Sequence, residues 1–174
     1  MSRTLGNTIA DSLQLSLGYG ERLLAGITPE NFGRFASPGG QVVESNHPAF
    51  IYGHLSLYAC RVVEQLGDDA SKIVPSDKFT EVFSKDAECV DDLDGSIYPQ
   101  MSEVTDAFFD GYRAALESLQ NASDETLQQP NPGAGMAERF PTLGSMHGFY
   151  VGGHIMIHMG QLSAWRRMAG LGRA

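Results

Sequence analysis

The chain has 174 residues, of which 42% are hydrophobic and 19% are charged, a composition typical of a globular protein and a length that suits one domain, residues 1–174. Asp and Glu number 21 against 12 Lys and Arg, which gives a net charge of −9 and an isoelectric point near 4.9. Such a surface repels phosphate backbones and anionic lipids, so we expect no nucleic acid and no membrane as a partner.

Two further features indicate a cytoplasmic protein. Residues 1–11 contain no apolar segment of a signal peptide, and the longest apolar stretch, residues 50–63, is too short to span a bilayer. Cys60 and Cys89 form neither a Cys-x-x-Cys motif nor a disulfide framework, which fits a reducing compartment.

Apolar residues at helical spacing predict four long helices, near residues 4–27, 48–66, 101–121 and 143–171. A short helix is predicted within residues 75–83, in the long connection between helices 2 and 3. No segment alternates in the way of a half-buried strand. The predicted fold class is therefore all-α, a four-helix bundle with a short extra helix in the connection between helices 2 and 3.

The ends of these helices carry their own signals. Asn46 is predicted to cap the second helix, and Pro48 suits its first turn. Residues 124–141, rich in Pro and Gly, are predicted to be a loop. Arg166 and Arg167 are expected to offset the dipole at the end of the last helix.

The last helix places two histidines on one face. His154 and His158 are one turn apart, on a predicted buried stripe with apolar neighbours. The stripe comprises His147, Val151, His154, His158, Gln161 or Leu162, and Trp165. Two imidazoles at this spacing suggest a pair of metal ligands.

A third histidine, His54, falls near the middle of the second helix among apolar residues. A single core histidine is usually structural, but three on facing helices are the arrangement by which bundles hold ions. We therefore predict that His54, His154 and His158 bind one divalent ion. Three nitrogens leave a coordination position open, as in reactive metal sites.

Other metal classes fit the sequence less well. A zinc protease helix has Glu directly after the first histidine, whereas Ile155 follows His154 here. A di-iron bundle needs paired Glu-x-x-His motifs, and Glu44 with His47 has no counterpart. Imidazole ligands suit Zn, Ni, Cu and Fe, with Zn or Ni expected.

Five further residues are candidates for a pocket around this site. Tyr58, Tyr150 and Gln161 lie near the predicted ligand faces and could orient a substrate. His47 and His147 precede ligands by two turns, about 10 Å, too far to share the ion. They either line the pocket and carry protons, or cap and pack helix starts.

Taken together, these residues make the chain similar to the DinB-like (DinB/YfiT-type) superfamily. The similarity lies in the string from His154 to Leu162, in Arg166-Arg167 and Gly170, in residues 48–55, and in outline in residues 75–83 and 98–119. The resemblance implies a four-helix bundle, commonly a homodimer, whose divalent ion is held at the positions of His54, His154 and His158. Its members include S-transferases and isomerases that use low-molecular-weight thiols such as bacillithiol or mycothiol.

Three hypotheses follow. The first is an enzyme in which the ion deprotonates a small thiol co-substrate, which then attacks a small electrophilic substrate; the catalytic group would be a metal-bound thiolate, or a metal-bound water in a hydrolase. The second is a non-catalytic dimer that senses or stores a metal or small ligand. The third is a scaffold whose histidines are core residues.

Overall fold

The computed structural model of the chain describes residues 3–133 and 135–174, and its regular secondary structure is helical. Within those residues no β-strand forms; two isolated bridges join Ala36 to Val43 and Pro130 to Thr142. The all-α prediction is confirmed. The helices are α1 (Leu5–Leu23), α2 (Pro29–Phe32), α3 (Pro48–Gln65), α4 (Asp77–Phe83), α5 (Met101–Asn121), α6 (Asp124–Leu127), α7 (Leu143–Gly148) and α8 (Ile155–Met168), with a 3-10 turn at Pro38–Gly40 and a π-helical turn at Phe149–His154.

The longer helices surround one hydrophobic core. Helix α3 packs along α5, α1 packs against α5 and α8, and α8 also reaches α3. Large side chains buried between these helices include Leu13, Tyr52, Phe108, Leu162 and Trp165. Burying such apolar area is the main force that holds the helices together.

Helix α5 follows its predicted pattern closely. Val104, Phe108, Ala115 and Leu119 are all fully buried, because steps of three and four residues return to the same face. Tyr112 shares that face, and its hydroxyl donates a hydrogen bond to the Leu55 carbonyl at 3.0 Å. The bond satisfies the one polar group that Tyr112 brings into the core.

The start of α3 differs from the prediction. Asn46 does not cap it: the cap is His47, whose Nδ1 accepts a hydrogen bond from the Phe50 backbone N–H at 3.3 Å. Pro48 occupies the first turn as expected, where its missing N–H costs nothing. Asn46 instead extends its side chain toward α8 and donates to Gln161.

The last long helix is not a uniform α-helix. It begins after Thr142, whose hydroxyl accepts from the Ser145 N–H at 3.1 Å, but residues Phe149–His154 form a π-helical turn. The buried stripe of α8 runs through Ile155, Met159 and Leu162. Of the predicted stripe, His147, Val151, Leu162 and Trp165 are indeed buried, whereas His154 and His158 lie beside the buried side chains and are half-buried.

Two other segments bear on the predictions. The segment 124–141 is not all loop, because α6 forms after Ser123, whose hydroxyl accepts from the Thr126 N–H at 3.0 Å. The predicted short helix in the connection between α3 and α5 is confirmed as α4.

Arg166 plays a different part from the one expected at an exposed helix end. It is buried, and its guanidinium donates to the Leu23 carbonyl at 2.7 Å and to the Ala25 carbonyl. These oxygens belong to the end of α1, where carbonyls lack helical partners. Arg166 therefore ties the C-terminal end of α1 to α8.

Helix α4 is held against α3 by a contact that only glycine permits. A Cβ at Gly53 would lie 2.4 Å from ring atoms of Phe83, which is itself fully buried. The Phe83 ring also stacks on Tyr98, with centroids 5.4 Å apart. The ring thus has little room to move away from α3.

We expect Gly53→Ala to lower the free energy of unfolding by about 1–3 kcal/mol, because the new methyl group overlaps the Phe83 ring. The control is Gly160→Ala, since Gly160 lies within α8 and a Cβ there would have no other atom within 4 Å. That change should raise stability by about 0.5–1 kcal/mol through helix propensity alone. Urea unfolding measures both, and equal stability of the two variants would contradict the constraint at Gly53.

Candidate metal centre

Three histidine rings from two sides of the molecule meet in one cluster. His54 comes from the middle of α3, His154 ends the π-helical turn, and His158 lies one turn later on α8. One ring nitrogen of each lies within 4.8 Å of the other two. The structure thus brings together the three residues that the sequence predicts as ligands. His54 is buried and the other two are half-buried, so the cluster faces solvent on the α8 side.

The His54 ring is oriented by the backbone of α4. Its Nδ1 lies 2.9 Å from the Phe83 carbonyl oxygen. Because a carbonyl can only accept, Nδ1 carries the proton and Nε2 keeps a free lone pair. Burial lowers the pKa of His54, and the Phe83 carbonyl partly opposes that shift. His54 is therefore a neutral ring at pH 7 with one nitrogen available as a ligand.

The His158 ring is oriented by a side chain. Its Nδ1 lies 3.0 Å from Oε1 of Gln161, on the same helix, and Asn46 donates to the same oxygen at 3.1 Å. The Nε2 lone pair of His158 is left free by the same reasoning. Burial, followed by the nearby His54, lowers the pKa of His158.

His154 lacks such a partner. Its Nδ1 is buried and makes no hydrogen bond within the described part of the chain. Burial, with repulsion from His158 and His54, lowers the pKa of His154 to about 4. A buried polar nitrogen without a partner costs free energy, and a cation bound to that nitrogen would remove the cost. Three neutral imidazoles, one of them with an unpaired nitrogen, fit a divalent ion of the Zn, Ni, Cu or Fe type.

Aromatic rings form a wall beside the histidines. Tyr58 lies with its ring centroid 4.8 Å from that of His154 and 5.2 Å from that of His54. Tyr150 stacks on Tyr58, with centroids 5.2 Å apart. Tyr58, Tyr150 and Gln161 therefore lie at the cluster, as their spacing predicts. Sequence spacing missed Phe149, 5.8 Å from His154, because only the π-helical turn brings that ring to this side.

His47 does not line this cluster. Both of its ring nitrogens are engaged, Nδ1 as the cap of α3 and Nε2 as a donor to the Val90 carbonyl at 3.0 Å. The ring is fully buried, so the pocket interpretation is wrong and the capping alternative is what the structure has.

His147 does not reach the cluster either. It is fully buried, and neither of its ring nitrogens has a hydrogen-bond partner among residues 3–133 and 135–174. Its predicted place in the pocket assumed α-helical spacing up to His154. The π-helical turn between them has wider turns, which rotate His147 off the ligand face.

A separate cavity of about 430 Å³ lies next to the cluster rather than in it. Asn46 forms part of its wall and, through Gln161, stands between the cavity and His158. Its lining residues are Phe35, Glu44, Ser45, Asn46, Glu88, Cys89, Val90 and Asp91.

Comparison with known proteins gives no relative from which a function could be inferred. The chain matches no protein-family model, no curated protein and no solved structure. The likeness to the DinB-like superfamily therefore rests on the residues quoted above. Within the described residues, no helix has both the length and the apolar character needed to cross a bilayer.

The two histidines outside the cluster should respond oppositely to replacement by leucine. His147→Leu should raise the free energy of unfolding by about 1 kcal/mol, because it removes two unpaired buried nitrogens. His47→Leu should lower it by about 1–2 kcal/mol, because the Phe50 N–H and the Val90 carbonyl lose their partner. Urea unfolding at pH 7.5 measures both.

The lowered pKa values of His47 and His147 predict that the folded protein loses stability in acid. Burial lowers the pKa of both His47 and His147 from the ordinary 6.5 to about 4. Between these values the unfolded chain binds more protons than the folded one, so stability falls as the pH drops from 6.5 toward 4. The loss between pH 7.5 and pH 5 should be smaller in His147→Leu than in the wild type. An equal loss would mean that the pKa of His147 is the same in the folded and the unfolded chain.

Proposed function

We propose that the chain binds one divalent ion through His54, His154 and His158 and uses it as the centre of a thiol-dependent S-transferase. The observation that carries the proposal is the convergence of the three ring nitrogens within 4.8 Å. Hydrogen bonds at Nδ1 orient the rings of His54 and His158, and proteins commonly orient histidine ligands in this way.

The DinB-like resemblance supports the proposal. The pairing of α1, α3, α5 and α8 is compatible with the four-helix bundle of that superfamily, and α4 lies in the expected connection. His54 lies on the second long helix and the other two on the last, as the resemblance implies. Exposed apolar side chains, Leu15 on α1 with Met156 and Ile157 on α8, support a homodimer, which is part of the same proposal.

The surroundings of the cluster favour a thiol over water as the activated group. A divalent ion supplies Lewis acidity, which stabilises a thiolate or hydroxide at neutral pH. A hydrolase of the zinc-protease type needs a carboxylate after the first histidine, but Ile155 holds that position and is buried in the core. The Tyr58 hydroxyl is protonated at neutral pH, since its ordinary pKa of 10.0 is raised further by burial, and it can donate a hydrogen bond to an anionic reactant.

Metal content is the first test. We expect about one divalent ion per chain after reconstitution with Zn²⁺ or Ni²⁺, and its loss in His54→Ala, His154→Ala and His158→Ala, because two imidazoles bind an ion far more weakly than three. Elemental analysis of tag-free protein gives the stoichiometry. Bound ion should also raise the unfolding free energy, by about 2.7 kcal/mol at a free concentration 100 times Kd.

The matched control is His147→Leu, which removes a buried histidine outside the cluster and should retain the ion. A wild-type protein that binds neither metal would refute the proposal. The histidines would then be core residues of a scaffold.

Turnover decides between catalysis and binding. We expect the metal-loaded protein to consume a small thiol, such as cysteine or bacillithiol, with an electrophile such as monochlorobimane or an epoxide, and His158→Ala to lose that activity. Free thiol is measured against time. Hydrolysis of an activated ester without thiol would favour the metal-hydroxide hydrolase, and bound metal without either reaction would favour a sensing or storage protein.

A further inference from the structure

A single oxygen atom connects the histidine cluster to the segment before α3. Gln161 Oε1 accepts the Nδ1–H of His158 at 3.0 Å and the side-chain N–H of Asn46 at 3.1 Å. An amide oxygen has two lone pairs, so these two bonds use its full capacity. No other hydrogen bond of the Asn46 or Gln161 side chains occurs in the described residues.

The amide orientations determine the tautomer of His158. In the structure Asn46 directs its NH₂ group at Gln161, so the atom of Gln161 that faces both Asn46 and His158 is its oxygen. That oxygen in turn requires the proton of His158 to be on Nδ1. Nε2 then keeps its lone pair, which is the form that can bind a metal. Asn46 thus influences His158 without touching it.

We propose that Gln161 and Asn46 are positioning residues of the metal centre: Gln161 fixes the tautomer and ring angle of His158, and Asn46 fixes the amide orientation of Gln161. This inference rests on the proposed metal site. His54 needs no such side chains, because the Phe83 backbone carbonyl accepts the hydrogen bond from its Nδ1. Unlike a side-chain amide, a backbone carbonyl cannot flip to present an N–H group instead. His158 lies toward the exposed edge, where Gln161 takes the place of a backbone carbonyl.

A purely structural link between α8 and the segment before α3 is the competing explanation. It predicts that loss of either side chain changes stability but not the coordination of a bound ion. Gln161 is exposed and Asn46 is half-buried, so replacement by alanine should leave the fold intact. Thermal unfolding of the metal-free variants checks this point.

The experiment uses Co²⁺, whose visible spectrum reports coordination geometry, and measures both its Kd and its absorption bands. Gln161→Ala should weaken Co²⁺ binding about 10–100-fold and shift or broaden the bands. Asn46→Ala should act in the same direction with a smaller effect, because Gln161 can still reach His158. Gln161→Glu keeps an acceptor oxygen and should bind about as tightly as the wild type.

The control is Gln120→Ala, since Gln120 is an exposed glutamine at the far end of α5 and should change neither quantity. Two results would overturn the inference: wild-type affinity and spectrum in Gln161→Ala, or binding by Gln161→Glu as weak as in Gln161→Ala. In both, the wild type still binds Co²⁺ and the metal site stands. If the wild type itself binds no Co²⁺, the proposed function fails first.

Discussion

The contact of the Phe83 ring with Gly53 is the constraint on which the histidine cluster depends. Helix α4 is too short to be stable alone, so it keeps its place only through such packing. Because the ring lies directly on the backbone of α3, the carbonyl of the same residue reaches Nδ1 of His54 at 2.9 Å. One residue thus provides both the packing that fixes α4 and the hydrogen bond that orients the His54 ring.

The π-helical turn is the second determinant of the cluster, and it explains what the sequence could not predict. Spacing of three and four residues identified α5 and the pairing of His154 with His158, because both lie in regular α-helix or at its boundary. It failed for His147, since periodicity assumes about 100° per residue and a π-helical turn rotates less. Gly152 in this turn packs against Ser12 of α1, a tertiary contact that sequence spacing does not reveal.

The helix ends also differ from what the local sequence predicts. Asn46 is the residue type that usually caps a helix, yet His47 does so, because its ring can accept from Phe50 and donate to Val90 at once. That second bond depends on a segment distant along the chain. Arg166 has the position of an exposed helix-end charge but is buried on the end of α1. In each case a tertiary contact, which forms only in the folded chain, outweighs the local preference of the residue.

The cluster itself differs from ordinary buried histidines in a way that favours a metal. His47 satisfies both nitrogens with the protein, whereas in the cluster one nitrogen of each ring lies within 4.8 Å of the other two, and Nδ1 of His154 has no partner in the described residues. His54 and His158 are nevertheless held in one tautomer by their Nδ1 bonds. Two oriented lone pairs beside a buried nitrogen without a partner carry a free-energy cost that a cation bound there would reduce. The arrangement can therefore hold a metal ion, and oriented lone pairs of this kind are something that core packing alone does not require.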